Sequence, residues 1–390
     1  MERKFNWLQF VGRTLSYLAV AAAASLLTLL LWNGGYSKLD DIQSIINGKF
    51  IGAYDEEKMV DAAARAMVDS LNDRWSSYMS ADEFAAYQDG VNNAYVGIGI
   101  TIVQRTDGKG YDIMEVAPGS SAQEAGVLPG DIVIAAQGEP VIGENGDNID
   151  LLSIGEAGTK VSMTVLRGQE EKTFTMERRS IQVIVASGEM LEGKIGLVRI
   201  ANFNYGCGDE TIAAIEQLRE QGATALIFDV RNNPGGYVDE MTKVLDYLLP
   251  EGIIFRDVNF RGKEGTVSSD AACLELPMAV LVNGNSYSAA EFFAACLQEY
   301  EWAKIVGEKT CGKGYYQNTI PLMDGSAVHL STGKYFTPGG VSLTEAGGVT
   351  LDVEIPVDEK TAALIYAQAL KPAEDPQLQA AVQLVGKTQG

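Results

Sequence analysis

MAVLVNGNSYSAAEFFAACLQEY, running from Met278 to Tyr300, is the stretch that decides the fold. Met278 to Val282 form a short unbroken apolar run, which suits a strand buried on both faces. NGNSYS is turn-forming, and the residues from Ala289 to Tyr300 read as a helix. The same order occurs upstream. Ile195 to Ile200 reads as a strand, Asp209 to Gln221 as a helix and Ala223 to Val230 as a second strand, followed by RNNPGG and a helix from Val238 to Leu249. Repeated strand, glycine-containing turn and helix predict a central sheet with covering helices. Reactive groups in such sheets collect at the carboxyl ends of strands. Ser288 sits at such an end and opens a helix, where unpaired backbone N–H groups favour a developing oxyanion.

The chain has a single histidine, His329, inside the strand-like alternation AVHLSTGKYF. A Ser-His-Asp triad would need that imidazole, and its strand setting points to a structural role. Lysine serves as a base when burial lowers its pKa. Lys313 stands between two glycines in GKG, where little side-chain bulk blocks the amine. A Ser288–Lys313 dyad is the sharper expectation; Ser286 is the rival nucleophile. Asp229 and Arg231 read as a strand-end pair shaping the PGG turn, and Glu291 as a favourable charge in the first turn of the helix. A penicillin-binding-protein arrangement wants a lysine three residues after the serine, where this chain has Glu291.

Bulk composition sets the limits. The 390 residues allow two or three domains, and the net charge of -22 argues against nucleic acid as a partner. Cys207, Cys273, Cys296 and Cys311 show no CxxC or metal-like spacing, so with a single histidine no metal site is expected, and Ser-Lys chemistry requires no cofactor. Thr14 to Ser37 carries no charge, and Leu15 to Trp32 is long enough, at about 1.5 Å per residue, to span a hydrocarbon core of roughly 30 Å. Arg3, Lys4 and Arg13 precede it, while Asp40 and Asp41 follow. The expectation is a single-pass anchor through residues 14–35 in the cell membrane, with the catalytic part extracytoplasmic. A cleaved signal peptide is the rival, but its small-residue run, Ala21 to Ser25, lies in the middle of the apolar stretch.

Residues 39 to 90 carry helical periodicity through Leu39, Ile42, Ile45, Ile46, Met59, Ala62, Ala63, Met67, Val68 and Leu71, then the loop DRWSSYMS and a short helix from Ala81. Packing, with room for a homodimer, is the expected role. From Tyr95 to about Arg179 the texture becomes short and alternating (GIGITIV, YDIMEV, DIVIAA, KVSMTVL, EKTFTM). YVGIGI, APGSSAQEAGVLPGDIVIAAQG and GTKVSMTVLRG, in that order, resemble a bacterial PDZ domain. In such a domain the N–H groups around Gly97, Ile98 and Gly99 cap a peptide carboxylate, and the neighbouring strand accepts a peptide. Val96, Gly97, Ile98, Gly99 and Ile100 are therefore the expected peptide-binding residues.

FDVRNNPGG, VNGNSYSAAEF, IVGEKTCGKGYYQ and KYFTPGG resemble the carboxyl-terminal processing (tail-specific) proteases of peptidase family S41. The likeness runs from about Ile42 to DPQLQAAVQLV and includes MVDSLNDRWSSYMSADEF. It implies a crotonase/ClpP-like α/β core, the nucleophile at Ser288, the base at Lys313 and a lysine-orienting glutamine at Gln317. It also implies an oxyanion hole from the Ala289 N–H and Gly235 or Gly236. The chain departs from the family pattern at Tyr287, Ala290, Cys311 and Leu351; Tyr287 and Cys311 are placed to alter the substrate cleft.

The expected whole is a multidomain α+β protein. It has a cytoplasmic N-terminus and anchor (1–37), a helical segment (38–92), a β-rich PDZ domain (93–180), a protease core (181–360) and a C-terminal helical segment (361–390). Its expected function is a membrane-anchored, PDZ-regulated serine endopeptidase acting on proteins or peptides with accessible C-terminal tails, with an activating peptide at the PDZ domain as a second partner. The alternative is a catalytically inactive, membrane-tethered PDZ scaffold.

Overall fold

The computed structural model describes residues 16–18, 20–22, 25, 38–153 and 155–387. Most of the expected membrane anchor lies outside the described residues. Among those described, no helix is long and apolar enough to cross a membrane. Residues 1–62 form one compact unit and residues 63–390 a second.

In the first unit the helix Lys38–Lys49 buries no side chain, and Gln43 donates to the Glu56 carboxylate at 2.8 Å. The helix Glu56–Asp69 buries only Val68. Among the described residues the apolar periodicity read from residues 39 to 90 therefore builds little core: Ile42, Ile45, Met67 and Leu71 are exposed. Strand β1 (Ser77–Met79) and the helix Ala81–Val91 follow. Ser80 and Glu83 form a reciprocal cap at the start of that helix.

The PDZ region begins with β2 (Ala94–Gly97), β3 (Ile100–Gln104), β4 (Tyr111–Val116), β5 (Ile132–Ala136) and β6 (Glu139–Pro140). It continues with β7 (Lys160–Arg167), β8 (Glu170–Glu177) and β9 (Arg179–Gln182). β3, β4, β5, β7 and β8 form a sheet in that order, β6 pairs with β5, and β2 pairs with β9. Val161, Met163 and Val165 alternate inward along β7 and pack with Ile98, Ile113 and Val133.

The core that carries the site is built on β10 (Ala186–Leu191), β11 (Ile195–Ile200), β12 (Ala225–Asp229), β13 (Gly252–Asn259), β14 (Glu264–Ser269) and β15 (Met278–Val282). β16 (Ala303–Gly307), β17 (Tyr315–Pro321), β18 (Ala327–Phe336) and β19 (Val353–Glu354) complete it. One sheet runs β10-β11-β12-β15-β16-β19, parallel except for the β10–β11 pair. Period-two side chains feed both faces. Leu226, Phe228, Val280 and Val282 pack with Met241, Val244 and Phe293 of the helices Val238–Leu248 and Ala289–Glu299. Ala225, Ile227, Ala279 and Leu281 meet Leu378, Ala381 and Val385 of the helix Pro376–Lys387. The C-terminal helical segment is thus one layer of the core. A second, antiparallel sheet runs β1-β18-β13-β14, with β17 on β18. It brings the 77–79 strand of the N-terminal segment against His329, Val328 and Ala327.

Candidate active site

β15 ends at Val282, and the chain turns through Asn283–Tyr287 into the helix Ala289–Glu299. Ser288 caps that turn at φ 58 and ψ -123, a geometry that glycine populates readily and serine does not. The strain is local and places the serine at the head of the helix. Its N–H donates to the Glu291 carboxylate at 3.1 Å. Ser286, the rival nucleophile, is fully buried. Its hydroxyl donates to the Val230 carbonyl at 2.7 Å and accepts from the Asn283 N–H at 3.0 Å. That hydroxyl is committed to holding the turn.

The neighbouring RNNPGG turn is pinned by Asn233, which is buried and donates to the Ile200 carbonyl at 2.9 Å. The Asn233 side-chain oxygen accepts from the Gly235 N–H at 2.8 Å. Gly235 has φ +91, and a Cβ there would lie 2.8 Å from the Ser288 Cβ and 2.9 Å from the Ala289 nitrogen. Only glycine lets the two turns approach this closely. The Gly235 N–H is therefore spent on Asn233, while the Gly236 and Ala289 N–H groups have no acceptor among the described residues. Of the two glycines expected as oxyanion donors, the structure leaves Gly236 free to donate. Arg231 bridges Asp229 at 2.6 Å, as the strand-end pairing anticipates, and also reaches Asp375 at 2.8 Å, which sequence reading missed.

Lys313 approaches from the loop after β16 and is buried, 8% exposed. Both its own N–H and that of Gly312 donate to Glu291, at 2.9 and 2.6 Å, and the Tyr335 hydroxyl donates to its carbonyl. Its Nζ lies 4.4 Å from the ring centre of Trp75 and 6.0 Å from that of Tyr287. Burial pushes the amine down to about 8, against the raising influence of Cys311, Asp73 and Glu291. At pH 7 roughly a tenth of it is neutral.

A cleft of about 730 Å³ gathers Gly235, Gly236, Ser288, Ala289, Lys313 and Gln317 along its wall. Among the described residues no hydrogen bond joins the Ser288 hydroxyl to the Lys313 amine. Gln317, to which the family likeness gives an orienting role, lines the cleft, and among the described residues no hydrogen bond joins it to Lys313. Its amide donates to Ser331 at 3.0 Å and to the Tyr315 carbonyl at 3.2 Å, because the β17–β18 register places Ser331 opposite it. His329 also lines the cleft, bonded to Thr319 at 2.8 Å, and burial followed by the Lys313 charge lowers its pKa. Trp75 and the three-way use of Glu291 escaped sequence reading. The DRWSSYMS loop was visible, but nothing local says that its tryptophan covers a lysine.

The PDZ residues sit at the junction of β2 and β3. Val96 and Gly97 end β2, Ile98 is buried, and Ile100 opens β3, which among the described residues pairs only with β4 and so leaves one edge open. Gly99 has φ +82, and a Cβ there would lie 2.3 Å from the Ser120 Cβ. The Ile98 and Gly99 N–H groups have no acceptor among the described residues.

Residues 194–355 match the family model of peptidase family S41, residues 96–177 that of a PDZ domain, and residues 22–83 that of the N-terminal domain of the activating protease CtpB. A protein of Staphylococcus aureus (strain COL) described as a CtpA-like serine protease is 31% identical over 325 residues, 82% of this chain and 64% of that protein. The chain thus spans 64% of the length of that curated relative. A solved S41 protease from Bacteroides fragilis shares the fold, with a TM-score of 0.57 at 18% identity, covering 92% of this chain and 99% of that one. The photosystem II D1 C-terminal processing protease is 26% identical, covering 89% and 94% of the two chains, with a TM-score of 0.48.

Proposed function

Because the chain belongs to peptidase family S41 and carries a PDZ domain, we propose that it is a serine endopeptidase in which Lys313 is the general base for Ser288. One observation carries this reading: a lysine whose burial pushes its amine down to about 8 shares a cleft wall with a serine held in a strained backbone conformation. Neutral Lys313 takes the hydroxyl proton as the Ser288 oxygen attacks a peptide carbonyl. The oxyanion is received by the N–H groups of Ala289 and Gly236, and the protonated lysine gives its proton to the leaving amine. Water then hydrolyses the acyl-enzyme. In this reading the hydroxyl and the amine approach with substrate bound, as catalytic hydrogen bonds often tighten only then. Gln317 orients Lys313 in this reading only after exchanging its bond to Ser331.

Substrates are proteins or peptides offering a C-terminal tail. The free N–H groups of Ile98 and Gly99 cap the carboxylate, and the open edge of β3 accepts the tail as an added strand. Residues 14–35 anchor the chain in the membrane with the catalytic part outside the cytoplasm, supported by the uncharged run from Thr14 to Ser37 behind Arg3, Lys4 and Arg13. Protease added outside intact spheroplasts should then digest the catalytic part; full protection would refute that orientation.

The catalytic reading is tested by Ser288→Ala and Lys313→Ala, each incubated with an unstructured protein ending in an apolar tail. Both should lose cleavage by at least a hundredfold. Undiminished cleavage in either would sink the dyad. Loss of cleavage with intact tail binding would leave each variant as the inactive scaffold that the unaltered chain is not.

A further inference from the structure

Trp75 lies outside the two proposed catalytic turns, yet its ring centre is 4.4 Å from the Lys313 Nζ, closer than that of Tyr287. It comes from the loop joining the helix Glu56–Asp69 to β1, and that loop is tied down at several points. The Asp73 carboxylate accepts from the Trp75 N–H at 3.1 Å and from the Ser76 hydroxyl at 2.6 Å. Ser76 in turn accepts from the Ser331 N–H at 3.0 Å, and β1 pairs with β18 from Ser77 opposite His329. The Arg74 guanidinium stacks on the indole at 4.2 Å and reaches the Cys311 sulfur at 3.1 Å. On another side the indole meets Tyr287 at 5.8 Å. So fixed, the ring cannot drift away from the amine.

We propose that Trp75 is a positioning residue for Lys313: its indole keeps water from the amine and holds Nζ at the cleft wall, so that residues 73–79 of the N-terminal segment complete the catalytic site. This rests on Lys313 being the base. An indole face does two opposed things to a lysine. It displaces water, which disfavours the charged form, and its quadrupole attracts an ammonium. Burial is the largest influence on this amine, so loss of the cover should return the lysine toward its ordinary range. The other groups facing it are Asp73 and Arg74 on the same loop, Cys311 on its own loop, Glu291 on the helix after Ser288, Tyr287 on the turn, and His329 and Tyr335 on β18. Shortening Trp75 removes none of these groups, although Arg74 and Tyr287 lose the ring they pack against. The device also explains why a loop remote in sequence is strapped so firmly to β18.

The test reads Lys313 directly. Full-length protein carrying Ser288→Ala is acetylated with acetic anhydride across pH 6 to 11, and Lys313 modification is followed by mass spectrometry, with and without Trp75→Ala or Trp75→Phe. The midpoint should rise by about one unit in Trp75→Ala and by less in Trp75→Phe. With Ser288 intact, the pH at which a fluorophosphonate labels it at half-maximal rate should rise in step. At pH 7 that labelling should fall about tenfold in Trp75→Ala and recover above pH 9. If Trp75→Ala fails to fold, Trp75→Phe decides the matter alone. An unchanged or lowered Lys313 midpoint overturns the proposal. Lys313→Met labelled as fast as the unaltered protein would instead overturn the dyad itself, whatever the Trp75 variants do.

Discussion

Glu291 and Lys313 are joined through the backbone: the buried Glu291 carboxylate accepts the Lys313 N–H at 2.9 Å, and the same oxygen accepts the Ser288 N–H at 3.1 Å. Its other oxygen takes the Gly312 N–H at 2.6 Å. One side chain thereby locks two loops together, with the serine on one and the lysine on the other. Glu291→Ala would leave three donors without acceptors in a buried place. Each unsatisfied group costs about 1–3 kcal/mol, so a loss of about 3–5 kcal/mol in urea denaturation is expected, with kcat down at least a hundredfold. Glu291→Gln, which keeps one acceptor oxygen, should fall between.

The closeness of Gly235 to Ser288 gives a second expectation. Gly235→Ala puts a methyl 2.8 Å from the Ser288 Cβ on a backbone with φ +91. Steric and backbone strain together should cost about 2–4 kcal/mol. Peptide hydrolysis should fall at least a hundredfold, because the displaced group is the proposed nucleophile. Retained turnover would mean that the two turns need not meet for hydrolysis.

Ser286 and Ser288 should part company. Ser286→Ala removes a buried hydroxyl that ties the turn to Val230, costing about 1–2 kcal/mol of stability. Its turnover should remain within tenfold of the unaltered protein. Ser288→Ala should abolish turnover with little effect on stability. Reversed outcomes would move the nucleophile to Ser286.

Lys313 also makes stability depend on pH. Its folded-state value of about 8 lies below the ordinary 10.5, so between those values the unfolded chain holds more protons than the folded one. Stability therefore rises with pH through that window, and below pH 8 the lysine imposes its full cost. Lys313→Met should be more stable at pH 7 by roughly 3 kcal/mol, with the advantage shrinking as pH climbs toward 10.5. Thermal unfolding of both proteins from pH 7 to 10 checks the slope.

Much of this fold is legible in the sequence because the buried strands declare themselves. Met278 to Val282 is read without error, and Ala289 to Tyr300 differs from the observed helix by one residue at its end. The glycines of GKG and PGG mark the two turns of the proposed site for the same reason: tight backbone approaches need them. What could not be read depends on contacts between distant segments. Trp75 reaches Lys313, and Asp375 reaches Arg231, only after two layers have packed. Gln317 is instructive in a different way. Its position in the motif was clear, but its partner, Ser331, is set by the register of β17 on β18. The apolar residues of the helix Lys38–Lys49 carry the opposite lesson, since periodicity predicted packing and the helix buries nothing.

The most direct measurement is the rate at which a fluorophosphonate labels Ser288 as a function of pH, in the unaltered protein and in Lys313→Met. It needs no knowledge of the natural substrate. The expected result is a single ionisation near pH 8, with labelling rising above it, and a rate at least a hundredfold lower and flat with pH in Lys313→Met. Labelling of Lys313→Met at the unaltered rate, or a profile in the unaltered protein with no ionisation near pH 8, would contradict a neutral lysine as the base for Ser288.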